Sequence, residues 1–148
     1  MPTDEYNANF IYDFFMYHLL FIWLFGHSFP MMRDELKERF RQFSLRIIKM
    51  VDAMPNTVSG TAVAKQIVRS GTSPAANYRA ACLAKSEKDF INKLKMVEEE
   101  IDETSHWLSI IIDSGMLPKN RVMDLYDESI ELCKIVSKSI ATMKNKMD

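Results

Sequence analysis

Three stretches of this chain repeat a core-type residue at spacings of four and three, and that period constrains the fold more than anything else in the sequence. In the clearest stretch Phe90, Leu94, Val97, Ile101, Thr104, Leu108 and Ile111 keep it over several turns. Residues spaced this way share one side of an α-helix, and the repeat approaches a heptad. Leu36, Phe40, Phe43, Ile47, Met50 or Val51, and Met54 do the same earlier in the chain. Val122, Leu125, Ser129, Leu132, Val136, Ile140 and Met143 do so near its end. No stretch alternates with the period of two that a half-buried strand requires. With only four glycines and five prolines in 148 residues, little interrupts these runs.

The punctuation that exists marks the helix ends. The first helix is predicted from Asp34 to Met54, with Asp34 and Glu35 in the first turn against the helix dipole. Pro55 ends it, and Pro55 to Gly60 reads as a loop. A second helix begins near Thr61 with Val63, Ile67 and Val68. Pro74 removes a backbone donor and disfavours helical geometry at Ser73, so a kink is expected before the helix resumes to Cys82. Ser86 with Asp89 resembles a capping box at the start of the third helix. Gly115 is its expected C-terminal cap. Met116, Leu117 and Pro118 lead into the fourth. Short links between long helices make consecutive helices antiparallel neighbours. The fold class is therefore all-α, an antiparallel up-down four-helix bundle over residues 33–148.

Residues 1–32 have a different character. The first thirty residues hold ten of the sixteen aromatics and no Lys or Arg. Phe10 to Phe25 is apolar except for interruptions such as Asp13 and His18. A membrane-spanning helix needs about 20 apolar residues, and a secretory leader begins with basic residues and ends in small ones. Neither description fits. The leading expectation is a doubtful extension, with Met31 or Met32 as the start of translation. A hydrophobic anchor or partner-binding helix at residues 10–25 is the second reading, and an extra packed helix the third.

Charge and chemistry narrow the function. The chain carries 19 Lys and Arg against 20 Asp and Glu. Residues 33–148 keep all 19 basic residues and lose Asp4, Glu5 and Asp13, which leaves 17 acids and a net of +2. Bulk charge favours neither nucleic acid nor membrane. Cys82 and Cys133 form no CxxC pair and read as small core residues of a reducing compartment, with a Cys82–Cys133 disulfide as the lesser alternative. No Gly-rich phosphate loop, HExxH or GxSxG occurs. Carboxylate-bridged metal bundles need Glu-x-x-His on two helices, and only Glu103 to His106 has those letters. The expectation is a non-enzyme with no metal and no cofactor.

Two residue sets stand out. Glu100, Glu103 and Trp107 share one side of the third helix, within the acidic block Glu98, Glu99, Glu100, Asp102 and Glu103. Gln66, Arg69 or Ser70, Ser73 and Asn77 share a side of the second. Half-buried charges need such partners, so Arg69, Ser70, Ser73, Asn77, Glu100, Glu103 and Trp107 are expected to form an interhelix network. The second set is basic. From Arg33 to Arg79 nine basic residues face four acidic ones. Arg33, Lys37, Arg39, Arg41, Arg46 and Lys49 are candidate phosphate contacts, and an ordinary solvated helix face is the equal alternative.

Three segments carry a family resemblance. Gln66 to Ala81 resembles a Q-x-x-R-S-x-x-S-x-x-x-N-Y-x-x-A pattern, met at Gln66, Arg69, Ser70, Ser73, Asn77, Tyr78 and Ala81. Asp89-Phe90-Ile91-Asn92-Lys93-Leu94 resembles D-F-I-x-K-L, and Glu100 to Leu108 resembles E-x-x-E-T/S-x-x-W-L. These belong to the 23S rRNA intervening-sequence family. The resemblance adds Tyr78 and Phe90 to the structural and interface residues. It implies an antiparallel four-helix bundle, a ring-like homopentamer and no catalytic residues; the expected cytoplasmic location rests on the cysteine usage of a reducing compartment. A related member, the accessory protein of diversity-generating retroelements, binds a reverse transcriptase and nucleic acid through a basic surface. RNA or a nucleic-acid enzyme is accordingly an expected partner beside the chain itself. A membrane partner is not expected. Basic and acidic sides of one subunit suit ring assembly.

Overall fold

The computed structural model describes residues 29–147. The expectations for residues 1–28, including the apolar segment 10–25, lie outside them. The chain divides into two compact units, Met1–Leu36 and Lys37–Asp148. Four α-helices make up the described residues, with no strand: α1 (Phe29–Val51), α2 (Val58–Cys82), α3 (Glu87–Ser114) and α4 (Lys119–Met147).

Local chemistry sets the ends. Pro30 sits in the first turn of α1, where the missing N–H has no intrahelical partner to lose, so α1 begins at Phe29 rather than Asp34. It stops at Val51, before Met54, because residues 52–54 turn tightly: the Ala53 N–H bonds the Met50 carbonyl (3.0 Å) and the Met54 N–H the Val51 carbonyl (3.0 Å). Thr57 caps α2 by accepting from the Gly60 N–H at 3.0 Å, which moves its start ahead of Thr61. The helix then runs unbroken through Pro74. Ser86 caps α3 by accepting from Asp89 N–H at 3.1 Å, and Asp89 accepts in return from Lys85 N–H at 3.2 Å. That is a capping box displaced by one residue. Gly115 ends α3 with φ of 69°, a conformation in which a Cβ is strained.

The core is built from the stripes. Phe40, Phe43, Ile47, Ile67, Leu94, Val97, Ile101, Leu108, Ile111, Val122, Leu132 and Val136 are fully enclosed. Each large side chain of this kind contributes about 1.5–3 kcal/mol of hydrophobic stabilisation. The Phe40 and Tyr78 rings pack at 5.1 Å between α1 and α2. Lower on the same seam Ile47 lies over Gly71 so closely that a Cβ there would sit 2.8 Å from its Cγ2. The Ser44 hydroxyl reaches both the Phe40 carbonyl (3.0 Å) and the Gly71 carbonyl (3.1 Å). Between α3 and α4 the Ser105 hydroxyl donates to Ser129 at 2.8 Å, and Ser129 donates to the Tyr126 carbonyl at 2.6 Å. This hydroxyl pair is buried among aliphatic neighbours. α2 packs on α3, and α3 on α4. Cys82 and Cys133 are free, half-buried thiols, so no disulfide joins α2 to α4.

Candidate functional site

Two charged clusters tie helices together. In the first, one guanidinium on α2 meets two carboxylates on α3. Arg69 Nη1 lies 3.5 Å from both oxygens of Glu100, and Nη2 lies 2.5 Å from Glu103 Oε1. The Trp107 indole donates to the same Glu103 oxygen at 3.2 Å. Glu100, Glu103 and Trp107 meet because positions i, i+3 and i+7 stack on one side of α3. The Arg69 hydrogen bond holds the Glu103 carboxyl below its usual pKa against the opposing effect of burial, with help from Trp107. The His106 ring stands edge-on to Trp107 at 5.2 Å. Arg69 is held above its usual value, first by its hydrogen bond to Glu103. A carboxylate so held stays ionised near neutral pH, which suits a fixed acceptor rather than a proton carrier.

The rest of that expected network lies elsewhere. Arg69 is exposed while Ser70, the next residue, is fully buried. A helix turns by about 100° per residue, so the two cannot both reach α3 carboxylates. Ser70 and Ser73 place their hydroxyl oxygens in the interior with no hydrogen-bond partner among the described residues. Asn77 is half-buried outside the cluster, Tyr78 packs on Phe40, and Phe90 is half-buried at the start of α3. The single network drawn from the sequence is thus corrected to a charged cluster of four residues, with a separate line of small polar residues on the neighbouring side of α2.

The second cluster was not legible as a set. Arg39 on α1 forms a two-pronged pair with Glu131 on α4, Nη1 to Oε1 at 3.1 Å and Nη2 to Oε2 at 2.8 Å. Its Nε lies 3.4 Å from Glu128 Oε1. Arg46 hydrogen-bonds the other Glu128 oxygen. Burial works to lower the Arg39 pKa, and the Glu131 and Glu128 carboxylates outweigh it and raise the value. The sequence signal was present in part, since Glu128 and Glu131 are three apart on one face of α4, but nothing local connects them with α1.

This cluster changes the basic set. Arg39 and Arg46 are engaged with α4, and Arg41 pairs with Glu38 at 3.0 Å on its own helix. Lys49 is exposed and makes no ion pair with a described residue. Lys37 lies at the start of the second unit and Arg33 on the first-unit part of α1. The positive charge is therefore largely matched within the chain.

Other chemistry is sparse among the described residues. No group of three or more His, Cys, Asp or Glu is placed to hold a metal ion. Burial pushes the Cys133 thiol up, and the negative charge of Asp102 and Glu98 adds to it, which disfavours a thiolate. A shallow groove of about 260 Å³ lies by the α1–α2 turn, lined by Val51, Met54, Pro55, Ala64, Lys65 and Val68 among others. Lys65 is the ionisable residue of its lining. No described helix is long and apolar enough to cross a membrane.

Four helices with a packed apolar centre, joined across two seams by arginine–glutamate clusters, define a small all-α protein. The chain belongs to the 23S rRNA-intervening sequence protein family, whose model matches residues 34–138. It is also similar to a solved protein of unknown function from the S23 ribosomal protein family of Bacteroides thetaiotaomicron VPI-5482. The two share 33% identity with a TM-score of 0.67, over 71% of this chain and 97% of that one. No curated protein matches.

Proposed function

We propose that this chain is a non-enzymatic assembly protein: an antiparallel up-down bundle that associates with copies of itself into a ring, a homopentamer by family resemblance, in the cytoplasm. The observation that carries self-association is the exposure of large apolar residues, Leu45 and Ile48 on α1 and Met96 and Ile110 on α3, beside Val58 and Leu83 at the two ends of α2. Such exposure on an otherwise well-packed small protein marks an interaction surface. Up-down topology is supported by the order of contacts. Phe40 meets Tyr78 and Ile47 meets Gly71, while Glu98 meets Ser137 and Ser105 meets Ser129. In each pair of helices one number rises as the other falls.

The assembly would serve as a scaffold for RNA or for a nucleic-acid enzyme, by analogy with the related retroelement accessory protein. The pairing of Arg39 and Arg46 with α4 and of Arg41 with Glu38 reduces the free positive field, so among these residues Lys49 is the one best placed for phosphate contact. Light scattering across a hundredfold range of concentration tests the assembly, and a monomer of 17.2 kDa throughout refutes it. A titration with RNA at several salt concentrations tests the scaffold role. Phosphate contact gives a steep fall of affinity with salt, and a flat response removes RNA from the account. A membrane-linked bundle anchored by residues 10–25 is the second reading, and full recovery in the soluble fraction of cells expressing the whole chain eliminates it.

A further inference from the structure

We infer that the seam between α2 and α3 binds an internal water molecule, held by the hydroxyls of Ser70 and Ser73 and by the Ser70 carbonyl that Pro74 releases. The site is independent of self-association and of RNA.

Most buried hydroxyls of the described residues return to their own backbone. Ser44 donates to the Phe40 carbonyl at 3.0 Å, Thr104 to Glu100 at 2.7 Å, Ser105 to Ile101 at 3.0 Å and Ser129 to Tyr126 at 2.6 Å. A bond to the carbonyl three or four residues back is the local option open to any helical hydroxyl. Ser70 and Ser73 do not take it. Ser70 is fully buried and Ser73 half-buried, and both hydroxyl oxygens are shut off from bulk solvent without a partner among the described residues. Buried hydroxyls are hydrogen-bonded in the large majority, so two adjacent exceptions on one helix point to a ligand that both share.

Pro74 opens a third position. In an α-helix the N–H of residue 74 serves the carbonyl of residue 70, and proline has no N–H to give. α2 runs unbroken through the buried Pro74, so the Ser70 carbonyl loses this donor while staying in the helix. All three groups lie within about one turn. They belong to the α3 side of α2. Arg69 reaches Glu100 and Glu103 on α3. At about 100° per residue, Ser73 lies roughly 40° and Ser70 roughly 100° around the helix from it, turned inward. Asn77, half-buried one turn further on, continues the same line.

Distance and chemistry select water. Side chains three apart on a helix have Cβ atoms about 5–6 Å apart. A direct hydroxyl–hydroxyl bond needs about 2.7–2.8 Å between oxygens, whereas two such bonds meeting at one shared oxygen span the gap. The carbonyl can only accept, so the ligand must donate to it. The hydroxyls can donate or accept. Water brings two donors and two lone pairs, and internal waters make about three hydrogen bonds, the number of groups present. None of the three carries charge, which leaves an ion uncompensated there. The two seams of α3 thus close differently. Toward α4, Ser105 donates directly to Ser129 at 2.8 Å. Toward α2, the hydroxyls meet through water beneath the Arg69 cluster.

Magnetic relaxation dispersion of the water oxygen nucleus, which registers water held inside a protein, tests this on the full chain. The double variant Ser70→Ala with Ser73→Ala is expected to lose the amplitude of one internal water, with its circular dichroism unchanged. Urea unfolding of the two single variants and the double variant, at one protein concentration, completes the test. The helix propensity of alanine favours each substitution equally in either background, so it cancels in the cycle. A shared water makes the second substitution cost less than the first. An unchanged dispersion amplitude in the double variant overturns the water site. Strict additivity of the unfolding free energies overturns it too, because the hydroxyls then share no ligand.

Discussion

Replacing Gly71 with alanine sets two well-measured effects against each other. An exposed helical glycine gains about 1 kcal/mol on becoming alanine, because the backbone loses less entropy on folding. Gly71 is buried, and its new Cβ would stand 2.8 Å from Ile47 Cγ2, 3.0 Å from Cγ1 and 3.3 Å from Cβ. Carbon atoms in contact prefer about 3.5–4.0 Å. Ile47 is fully buried, and the atoms in question branch directly from its Cβ, so no rotation of a side-chain tip relieves the clash. Overpacking of this kind costs about 1–3 kcal/mol. The backbone shift would also stretch the Ser44 bond to the Gly71 carbonyl. Gly71→Ala is therefore expected to lower stability by about 1 kcal/mol net. Ile47→Ala alone should cost about 2–5 kcal/mol by leaving a cavity. In the double variant the alanine Cβ no longer meets the branched carbons, so the two costs should fall short of additive by about 1–2 kcal/mol. Urea unfolding followed by circular dichroism measures all three, at one protein concentration because association adds to apparent stability. A more stable Gly71→Ala protein, or strict additivity in the double variant, would refute the close packing of α1 on α2.

Other outcomes follow from the charged clusters and the thiol. Arg39→Ala should destabilise by about 1–3 kcal/mol, since truncating one side of a half-buried pair strands its carboxylates; Arg39→Lys should recover only part, because a single ammonium cannot make the two-pronged bond. The lowered pKa of Glu103 gives an acid dependence. Its contribution is complete above the unfolded value, near 4.5, and is withdrawn as pH falls through the lower folded value. Urea midpoints measured from about pH 5 down to 3 should thus fall less steeply for Arg69→Leu than for the wild type. The raised Cys133 pKa predicts slow labelling by a thiol reagent at pH 8, faster as pH rises; equally fast labelling of the folded and urea-unfolded protein would remove the burial argument.

What the sequence revealed divides along the range of the interactions concerned. The Ser86 cap and the Gly115 stop were legible because both depend on residues within one turn. The stripes at Phe40–Phe43–Ile47 and Leu94–Val97–Ile101 were legible because periodicity fixes a face regardless of partner. Boundaries at Phe29, Val51 and Val58 were missed by several residues, since Pro30 tolerates a first turn and the 52–57 link closes through its own backbone bonds. The Arg69–Glu100–Glu103–Trp107 cluster could be drawn from i, i+3, i+7 spacing on α3 together with the family pattern. Its supposed extension failed at Ser70 on a single residue of rotation, and at Ser73, one turn beyond Arg69, because the hydroxyl turns inward. The Arg39–Glu128–Glu131 cluster joins positions about ninety apart, and no spacing rule reaches that far.

The hydroxyl pair at Ser105 and Ser129 bears on how the chain avoids its own near-misses. A run of aliphatic residues at heptad spacing is almost indifferent to sliding by seven positions along its partner, because leucine then replaces leucine. Moving α4 one heptad against α3 would set Ser105 beside Val122 or Val136 and part the two buried hydroxyls. Each hydroxyl keeps a carbonyl acceptor on its own helix, Ile101 for Ser105 and Tyr126 for Ser129, so the slide forfeits the bond between them, about 0.5–1.5 kcal/mol. Seen this way, the two serines are a parity check on the seam: they add little adhesion to the correct alignment and tax every incorrect one.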